Sequence, residues 1–243
     1  MKLKVLGSSS LGNCYLLEGE KETLIIECGI SHKEILKGLN FNLNNVVGCL
    51  VSHEHKDHSK AIGDMLKAGI DVYTSLGTAR ALTDECYIET YYRLNFIRSE
   101  QPLKVGDFTI LPFEVEHDAA EPLGFLIQHK EMGKLLFITD SYYCKYNFSG
   151  LDYILIECNY SSQILAEKEL PRSLKSRIIK SHFELENVKE FLRATDLKKV
   201  KEIVLIHLSD SNSNAAQFQE EIEKTTGKPT YIGDKGLEVE LTI

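Results

Sequence analysis

The stretch VSHEHKDHSKAIG places His53, His55, Asp57 and His58 within six positions, directly behind an apolar run that begins at Val46. On extended backbone, residues two apart point to the same side, so His53 and His55 can share one cation. Asp57 and His58 are adjacent, and in a tight turn they face another direction, which suits a second cation beside the first. The spacing HxHxDH is therefore a recipe for two metals. The bland alternative, a solvated loop that happens to be rich in histidine, does not account for so dense a cluster. Isolated histidines such as His32 and His129 are read as surface residues.

The elements that must position this cluster are strands. Val46 to Ser52 is a continuous apolar run of the kind a strand buried on both faces shows. Ser59 then reads as the N-cap of a helix over Lys60 to Ala68, closed by Gly69. Earlier strands are expected at Leu3 to Leu6, Cys14 to Glu18 and Thr23 to Glu27, separated by Gly and Ser turns, with a short helix at His32 to Leu39. Further on, strands at Ile70 to Thr74, Phe108 to Val115, Gly124 to Gln128, Lys134 to Thr139, Tyr153 to Ile156 and Ile203 to Ile206 are expected. Helices are expected near Thr78 to Thr83, Leu185 to Ala194 and Ala215 to Thr225. His117, Asp140 and His207 then fall just past three of these strands, as His53 does past the first. Polar residues gathered at strand ends on a rigid sheet are the usual form of an active site.

The totals narrow the classes. The 243 residues, 43% hydrophobic and 26% charged, fit one globular domain over residues 1–243, with no linker that would divide it. A net charge of −8 argues against gripping long nucleic acid over a broad face, but leaves room for a local basic groove. Cys14, Cys28, Cys49, Cys86, Cys144 and Cys158 form no CxxC pair and several sit inside apolar runs, which reads as reduced core thiols in a cytoplasmic protein. No run approaches the ~18 apolar residues of a membrane helix, and the N-terminus reads as a strand instead of a signal sequence. A monomer or homodimer is expected.

SHEHKDH with the later His117, Asp140 and His207 resembles the metallo-β-lactamase fold superfamily, over nearly the whole chain. GSSSLGNCYLL, EVEHDAAEPLGFLI, FITDSYY, ECNYS, KSHFELENV and LIHLSDSNSN together resemble its WalJ-type (YycJ-type) branch. The resemblance implies an αββα four-layer sandwich, two mixed sheets with helices outside. It implies that His53, His55 and His117 hold one divalent metal, that Asp57, His58 and His207 hold a second, and that Asp140 bridges them. Zinc is the expected metal, with manganese or iron as alternatives. The β-lactamases of this fold typically carry a cysteine at the bridging position, so Asp140 argues against antibiotic hydrolysis. A shared water with its pKa lowered from ~15.7 towards ~7 would supply a metal-bridging hydroxide at neutral pH.

Asp57 and His182 are the expected catalytic residues. His182 matches a histidine of the branch motif and reads as a phosphate contact or general acid, although Phe183 and Glu184 after it depart from the pattern. The rival for His182 is a cap on the helix starting near Leu185. Glu27 stands where the family more often has Asp, and would brace the metal loop only if that loop shifts by a methylene. Ser8, Ser10 and Asn13 read as donors to a phosphate or to the metal loop, or simply as a turn, and Asn159 as a site-facing position by the resemblance, or otherwise as a loop amide. Ser209 to Asn214 read as a turn capping the last helix. In YIETYYRLNFIRSE, the residues Tyr87, Tyr91, Tyr92, Arg93, Phe96 and Arg98 interleave rings and cations as a base-stacking surface does, or as an amphipathic core stripe does.

The expected activity is hydrolysis of a phosphodiester, by a nuclease or exonuclease on DNA or RNA. A small-molecule hydrolase (cyclic-nucleotide phosphodiesterase, thioesterase or lactonase) is the alternative, and a non-catalytic metal-binding regulator is the rival of another class. Against the last stands the presence of all seven ligand positions.

Overall fold

The computed structural model describes residues 1–84 and 92–243, so Cys86, Tyr87 and Tyr91 lie outside the described residues. One sheet orders its strands β14-β1-β2-β3-β4-β5-β6, with β1 (Lys2–Gly7), β2 (Cys14–Glu18), β3 (Thr23–Ile26), β4 (Val46–Leu50), β5 (Val72–Ser75), β6 (Leu94–Ile97) and β14 (Glu238–Glu240). The other runs β13-β12-β11-β10-β9-β8-β7, from β7 (Leu103–Val105), β8 (Phe108–Glu114), β9 (Leu123–His129), β10 (Gly133–Ile138), β11 (Tyr153–Glu157), β12 (Glu202–Ile206) and β13 (Thr230–Ile232). Both sheets are mixed in the same way. Each starts as an antiparallel meander and turns parallel, at β3–β4 in the first and β10–β11 in the second.

The layers follow from which residues each strand buries. Between the sheets, Leu3, Tyr15 and Ile26 meet Phe125, Phe137 and Leu155. On the outer face of the first sheet, Leu16, Ile25 and Val51 pack under α1 (His32–Gly38), α3 (Ile62–Lys67) and α4 (Leu76–Asp84). On the outer face of the second, Ile154, Ile156 and Leu205 pack under α7 (Leu185–Ala194) and α8 (Ala215–Thr226). This is the expected αββα sandwich. Covered on both faces, the central strands β3 and β11 are apolar throughout apart from Thr23 and Glu157. Helix α7 turns Leu185, Val188 and Leu192 to the core, and Glu184 caps its start by accepting from the Glu186 and Asn187 amides. The capping role considered for His182 thus belongs to Glu184. Asn214 caps α8, accepting from the Gln217 amide.

Several expectations are corrected. The single helix capped by Ser59 is two: α2 (Lys56–Ser59), which begins inside the histidine cluster, and α3. Ser59 ends α2, and its hydroxyl donates back to the Glu54 and His55 carbonyls. His129 is 2% exposed, its ring lying on Phe108 and its Nε2 3.1 Å from Glu22 Oε1, so it is no surface residue. His32 is half-buried. Strands β6, β7, β13 and β14 and the helices α5 (Ser162–Glu167) and α6 (Arg172–Ser181) were not anticipated. Among the described residues no helix is long and apolar enough to cross a membrane.

Tyr15 of β2 and Phe137 of β10 join the two sheets, their ring centroids 5.4 Å apart and nearly perpendicular. Both side chains are fully buried. Phe137→Ala is expected to cost about 3–5 kcal/mol, read as a lower urea midpoint; a loss below about 1 kcal/mol would show that the inter-sheet layer is not packed as described.

Candidate metal centre

The C-terminal ends of β3, β4, β10, β11 and β12 lie at one edge of the sandwich, and the polar residues there converge. His53 Nε2 lies 3.1 Å from His55 Nδ1, and His117 Nε2 lies 3.2 Å from the same atom. Asp140 Oδ2 lies 3.8 Å from His53 Nε2 and 3.4 Å from His117 Nε2. The other carboxylate oxygen, Oδ1, faces a second set. It is 3.3 Å from His58 Nε2, while Asp57 Oδ2 is 3.5 Å from His58 Nε2 and 3.4 Å from His207 Nε2. Thus His53, His55, His117 and Asp140 form one group, and Asp57, His58, Asp140 and His207 another, each with ligand atoms within 4.8 Å of one another.

These groups fit a divalent cation. A tetrahedral site with bonds of about 2.0–2.1 Å has edges of about 3.3–3.4 Å, close to the separations in both groups. Three imidazole nitrogens aimed at one another are unfavourable unless something positive stands between them. Neighbouring bonds also set the ring tautomers. His117 Nδ1 donates to the Ser181 carbonyl at 2.7 Å, which leaves its Nε2 lone pair facing inward. Glu157 Oε1, 3.1 Å from His207 Nδ1, does the same for His207. The cluster as a whole is compatible with two metals.

Without cations, protons must balance the carboxylates. Burial works against charge on His58 and His207, but the surrounding carboxylates together outweigh it: Asp140, Glu27 and Asp57 hold His58 well above the usual imidazole range, and Asp140, Asp57 and Glu157 push His207 up to about 10. His53, by contrast, is driven well below its ordinary value by burial and by the His58 charge. Burial also disfavours the Asp140 and Asp57 carboxylates, yet the surrounding imidazoles hold both far down the acid range.

The backbone beneath the cluster is tightly fitted. Asp57 O accepts from the Asn13 amide, His58 O from the Cys28 amide, and Cys28 O from the Ala61 amide. A Cβ on Gly29 would fall 1.7 Å from Asp57 O, so only glycine lets the β3 loop pass the metal loop this closely. Glu27, Asp140 and His207 all have positive φ, at 64°, 23° and 52°, a left-handed conformation uncommon for such residues outside functional sites. Glu27 is fully buried. Its Oε1 accepts from the Ser52 amide at 3.2 Å and its Oε2 sits 3.4 Å from His58 Nδ1, so it bridges β4 and the second group despite its extra methylene.

Of the expected substrate contacts, Ser10 and Asn159 line the cavity over the cluster, a space of about 520 Å³ that also meets Lys56, Arg177, His182 and Ser209. Asn159 Nδ2 donates to the His207 carbonyl at 2.9 Å. Asn13 does not face that cavity: it is fully buried, with its Nδ2 3.1 Å from the Ser9 and Asp57 carbonyls and 3.2 Å from His58 Nε2. It props the metal loop from behind. Ser8 is likewise a support, its Oγ accepting from the His207 amide and the Tyr15 hydroxyl, both at 2.9 Å. The described part of the ring-and-cation segment lies on the edge strand β6, away from the cavity, where Arg93 pairs with Asp71 at 3.1 Å.

Glu157 is the residue that sequence reasoning missed. Its Oε2 accepts from the Ser141 and Phe183 amides at 2.9 and 3.0 Å, and its Oε1 takes His182 Nδ1 at 2.6 Å beside His207 Nδ1. The signal was present: a carboxylate ending the otherwise apolar run YILIE must have partners. Burial would lower the His182 pKa, but the charge and hydrogen bond of Glu157 raise it overall. His182 Nδ1 is also 4.0 Å from Asp140 Oδ2.

A family model described as "Beta-lactamase superfamily domain" matches residues 24–208, a span that holds every clustered residue from His53 to His207. Exodeoxyribonuclease YycJ of Bacillus anthracis is 31% identical over 232 residues, covering 88% of this chain and 84% of that protein. Exodeoxyribonuclease WalJ of Streptococcus pneumoniae serotype 2 is 30% identical over 224 residues, covering 87% and 83%. The crystal structure of the metallo-beta-lactamase fold protein YhfI from Bacillus subtilis matches with a TM-score of 0.72 at 18% identity, over 98% of this chain and 99% of that one. With its fold and its clustered residues inside the matched span, the chain belongs to the beta-lactamase superfamily.

Proposed function

We propose that this protein is a metal-dependent phosphodiester hydrolase that shortens nucleic acid from an end, in one domain over residues 1–243 and in the cytoplasm, as a monomer or homodimer. The reading rests above all on the division of Asp140 between two ligand sets, in a chain about 30% identical to two proteins named exodeoxyribonucleases. His53, His55 and His117 would hold one divalent cation and Asp57, His58 and His207 the other, with Asp140 between them. Imidazole and carboxylate donors suit zinc, and manganese or iron can take the same set. Bound there, the pair would supply Lewis acidity towards water and the phosphoryl oxygens. Unpaired, buried cysteines among the described residues support a reducing compartment.

The side chains around the cluster have separate tasks. Arg177 and Lys56 line the cavity and meet phosphate charge. Glu157 orients His182 through Nδ1, which leaves Nε2 as the nitrogen that gives a proton to the departing alkoxide. Asn159 holds the His207 carbonyl, fixing that ring while its own side chain borders the substrate.

Incubating metal-loaded protein with end-labelled single- and double-stranded DNA and RNA tests the activity. Stepwise shortening is expected, and Asp57→Ala should lose more than the ~10–100-fold that removing an outer partner of a ligand costs. Intact polymers with metal bound would overturn the nuclease reading and turn attention to cyclic nucleotides and thioesters.

His182→Ala should slow cleavage of a nucleotide ester by about 10²–10⁴-fold, yet leave bis(p-nitrophenyl) phosphate much less affected, because p-nitrophenolate departs without a proton. Equal losses on both substrates would mean that His182 serves the metal site instead of the leaving group.

Glu157→Gln, with bound metal measured alongside, probes the same step by pH. His182 must be protonated to act, and Glu157 raises its pKa. The high-pH decline of kcat should therefore move to lower pH in the variant; an unmoved decline would remove Glu157 from that role.

A further inference from the structure

Helix α6 is the largest feature that neither the core nor the metal cluster explains. Over Arg172–Ser181 it carries Arg172, Lys175, Arg177 and Lys180 and no carboxylate, in a chain of net charge −8. A ten-residue helix is marginal in water and ordinarily depends on an apolar face packed against a core. In α6 only Ser181 is buried, while Leu174 and Ile179 are 42% and 52% exposed. Its cations are hardly engaged. Arg177 Nε is 4.0 Å from Asp118, with both side chains more than 60% exposed, and Lys175 Nζ reaches the Ala166 carbonyl at 3.4 Å. The side chains of Arg172 and Lys180 make no hydrogen bond or ion pair among the described residues.

The helix is nevertheless held at the site. Its last residue gives the carbonyl that fixes His117, the chain passes directly into His182, and Leu174, Arg177 and Ile178 border the cavity over the cluster. At that cavity's Ser209 edge lies a second space of about 740 Å³, bordered by Glu34, Asp210 and Asp234. Its one lysine, Lys235, is tied to Glu34 at 3.3 Å. Positive charge thus gathers on α6, and carboxylates border the space beyond Ser209.

We propose that α6 grips a single nucleic-acid strand and leads its end to the metal cluster, with the acidic space past Ser209 marking where the strand stops. The proposal rests on the nuclease reading and adds to it how the polymer is held. From Arg172 to Lys180 the helix rises about 12 Å, and its cations spread round it: Arg177 stands with Leu174 and Ile178 on the side that borders the cavity, while Arg172, Lys175 and Lys180 lie towards the outer side, where an incoming strand meets them first. Roofed by α6, a cavity of about 520 Å³ takes unpaired nucleotides in preference to a base-paired end. A strand that passes from the outer cations to Arg177 and into the cavity would also cover Leu174 and Ile178 and so supply packing the helix lacks.

The test compares the metal-loaded wild type with the triple variant Arg172→Gln, Lys175→Gln, Lys180→Gln. A labelled twelve-nucleotide DNA strand, end-blocked with methylphosphonate linkages so that it is bound but not shortened, is titrated by fluorescence anisotropy over a range of salt. The variant should bind at least ~10-fold more weakly at low salt, and its log Kd against log salt slope should fall by about 2, near 0.7 for each phosphate that is no longer neutralised. The wild type should bind a duplex of the same length more weakly than the strand. An unchanged Kd and slope in the variant, or a duplex bound as tightly as the strand, would overturn the proposal. So would light scattering that shows the variant losing a dimer while strand binding is unaltered, since α6 would then be a self-association face. Hydrolysis of bis(p-nitrophenyl) phosphate by the wild type reports the phosphodiester chemistry separately: its absence with salt-sensitive strand binding intact would sink the hydrolase reading alone.

Discussion

A carboxylate taken out of water must be matched by positive charge or by donors, and that requirement organises one whole edge of this protein. Asp140 and Glu157 are almost wholly buried, and Asp57 is close by. Glu157 meets the need with two backbone amides and two imidazoles. In doing so it ties the loop after β10 to His182 and His207, which are otherwise far apart in the chain. Among the described residues, the groups that meet the Asp140 carboxylate are imidazoles and the Thr139 hydroxyl, which is why the histidines crowd it and why cations fit there.

The sheets make that arrangement reachable. Each sheet turns parallel partway across, so that β3, β4, β10, β11 and β12 all end at the same edge. Parallel strands joined through helices put the loops after their C-terminal ends side by side. Residues from Glu27 to His207 can therefore meet although long stretches of chain separate them. The loop after β8 brings His117, and Glu54 secures it by accepting from the Ala120 amide at 2.7 Å.

What the sequence made legible was the local part of this design. HxHxDH is contiguous, and the alternating or apolar runs that lead to His53, His117, Asp140 and His207 mark strands directly. The supports were hidden because their partners are remote: Ser8 accepts from the His207 amide, and Asn13 holds the Asp57 carbonyl. A turn rich in Gly and Ser carries no trace of such contacts, so the letters alone left a phosphate, the metal loop and a plain turn equally open for both residues. Strands β6, β7, β13 and β14 are only three or four residues long, too short for a period to show. Helix α6 escaped for the opposite reason, since a helix with almost nothing buried has no apolar stripe aimed at a core. Ser59 misled because a serine ending one short helix looks the same, in sequence, as one that caps the next.

The strain around the cluster and its unmet polar atoms have one common remedy. Positive φ at Glu27, Asp140 and His207 costs of order 1–3 kcal/mol each and persists only where the surroundings enforce it. Glu27 Oε2 and His58 Nδ1 face each other at 3.4 Å without forming a well-aligned hydrogen bond. A cation at His58 Nε2 would make the opposite nitrogen a stronger donor and so draw it towards the Glu27 carboxylate. That exchange would make Glu27 a partner of a bound cation without touching it, and would give the longer side chain a use: reaching His58 from a left-handed residue at the end of β3. Cation binding and the fit of this loop would then be a single equilibrium, in which the backbone strain is offset by the charge it positions.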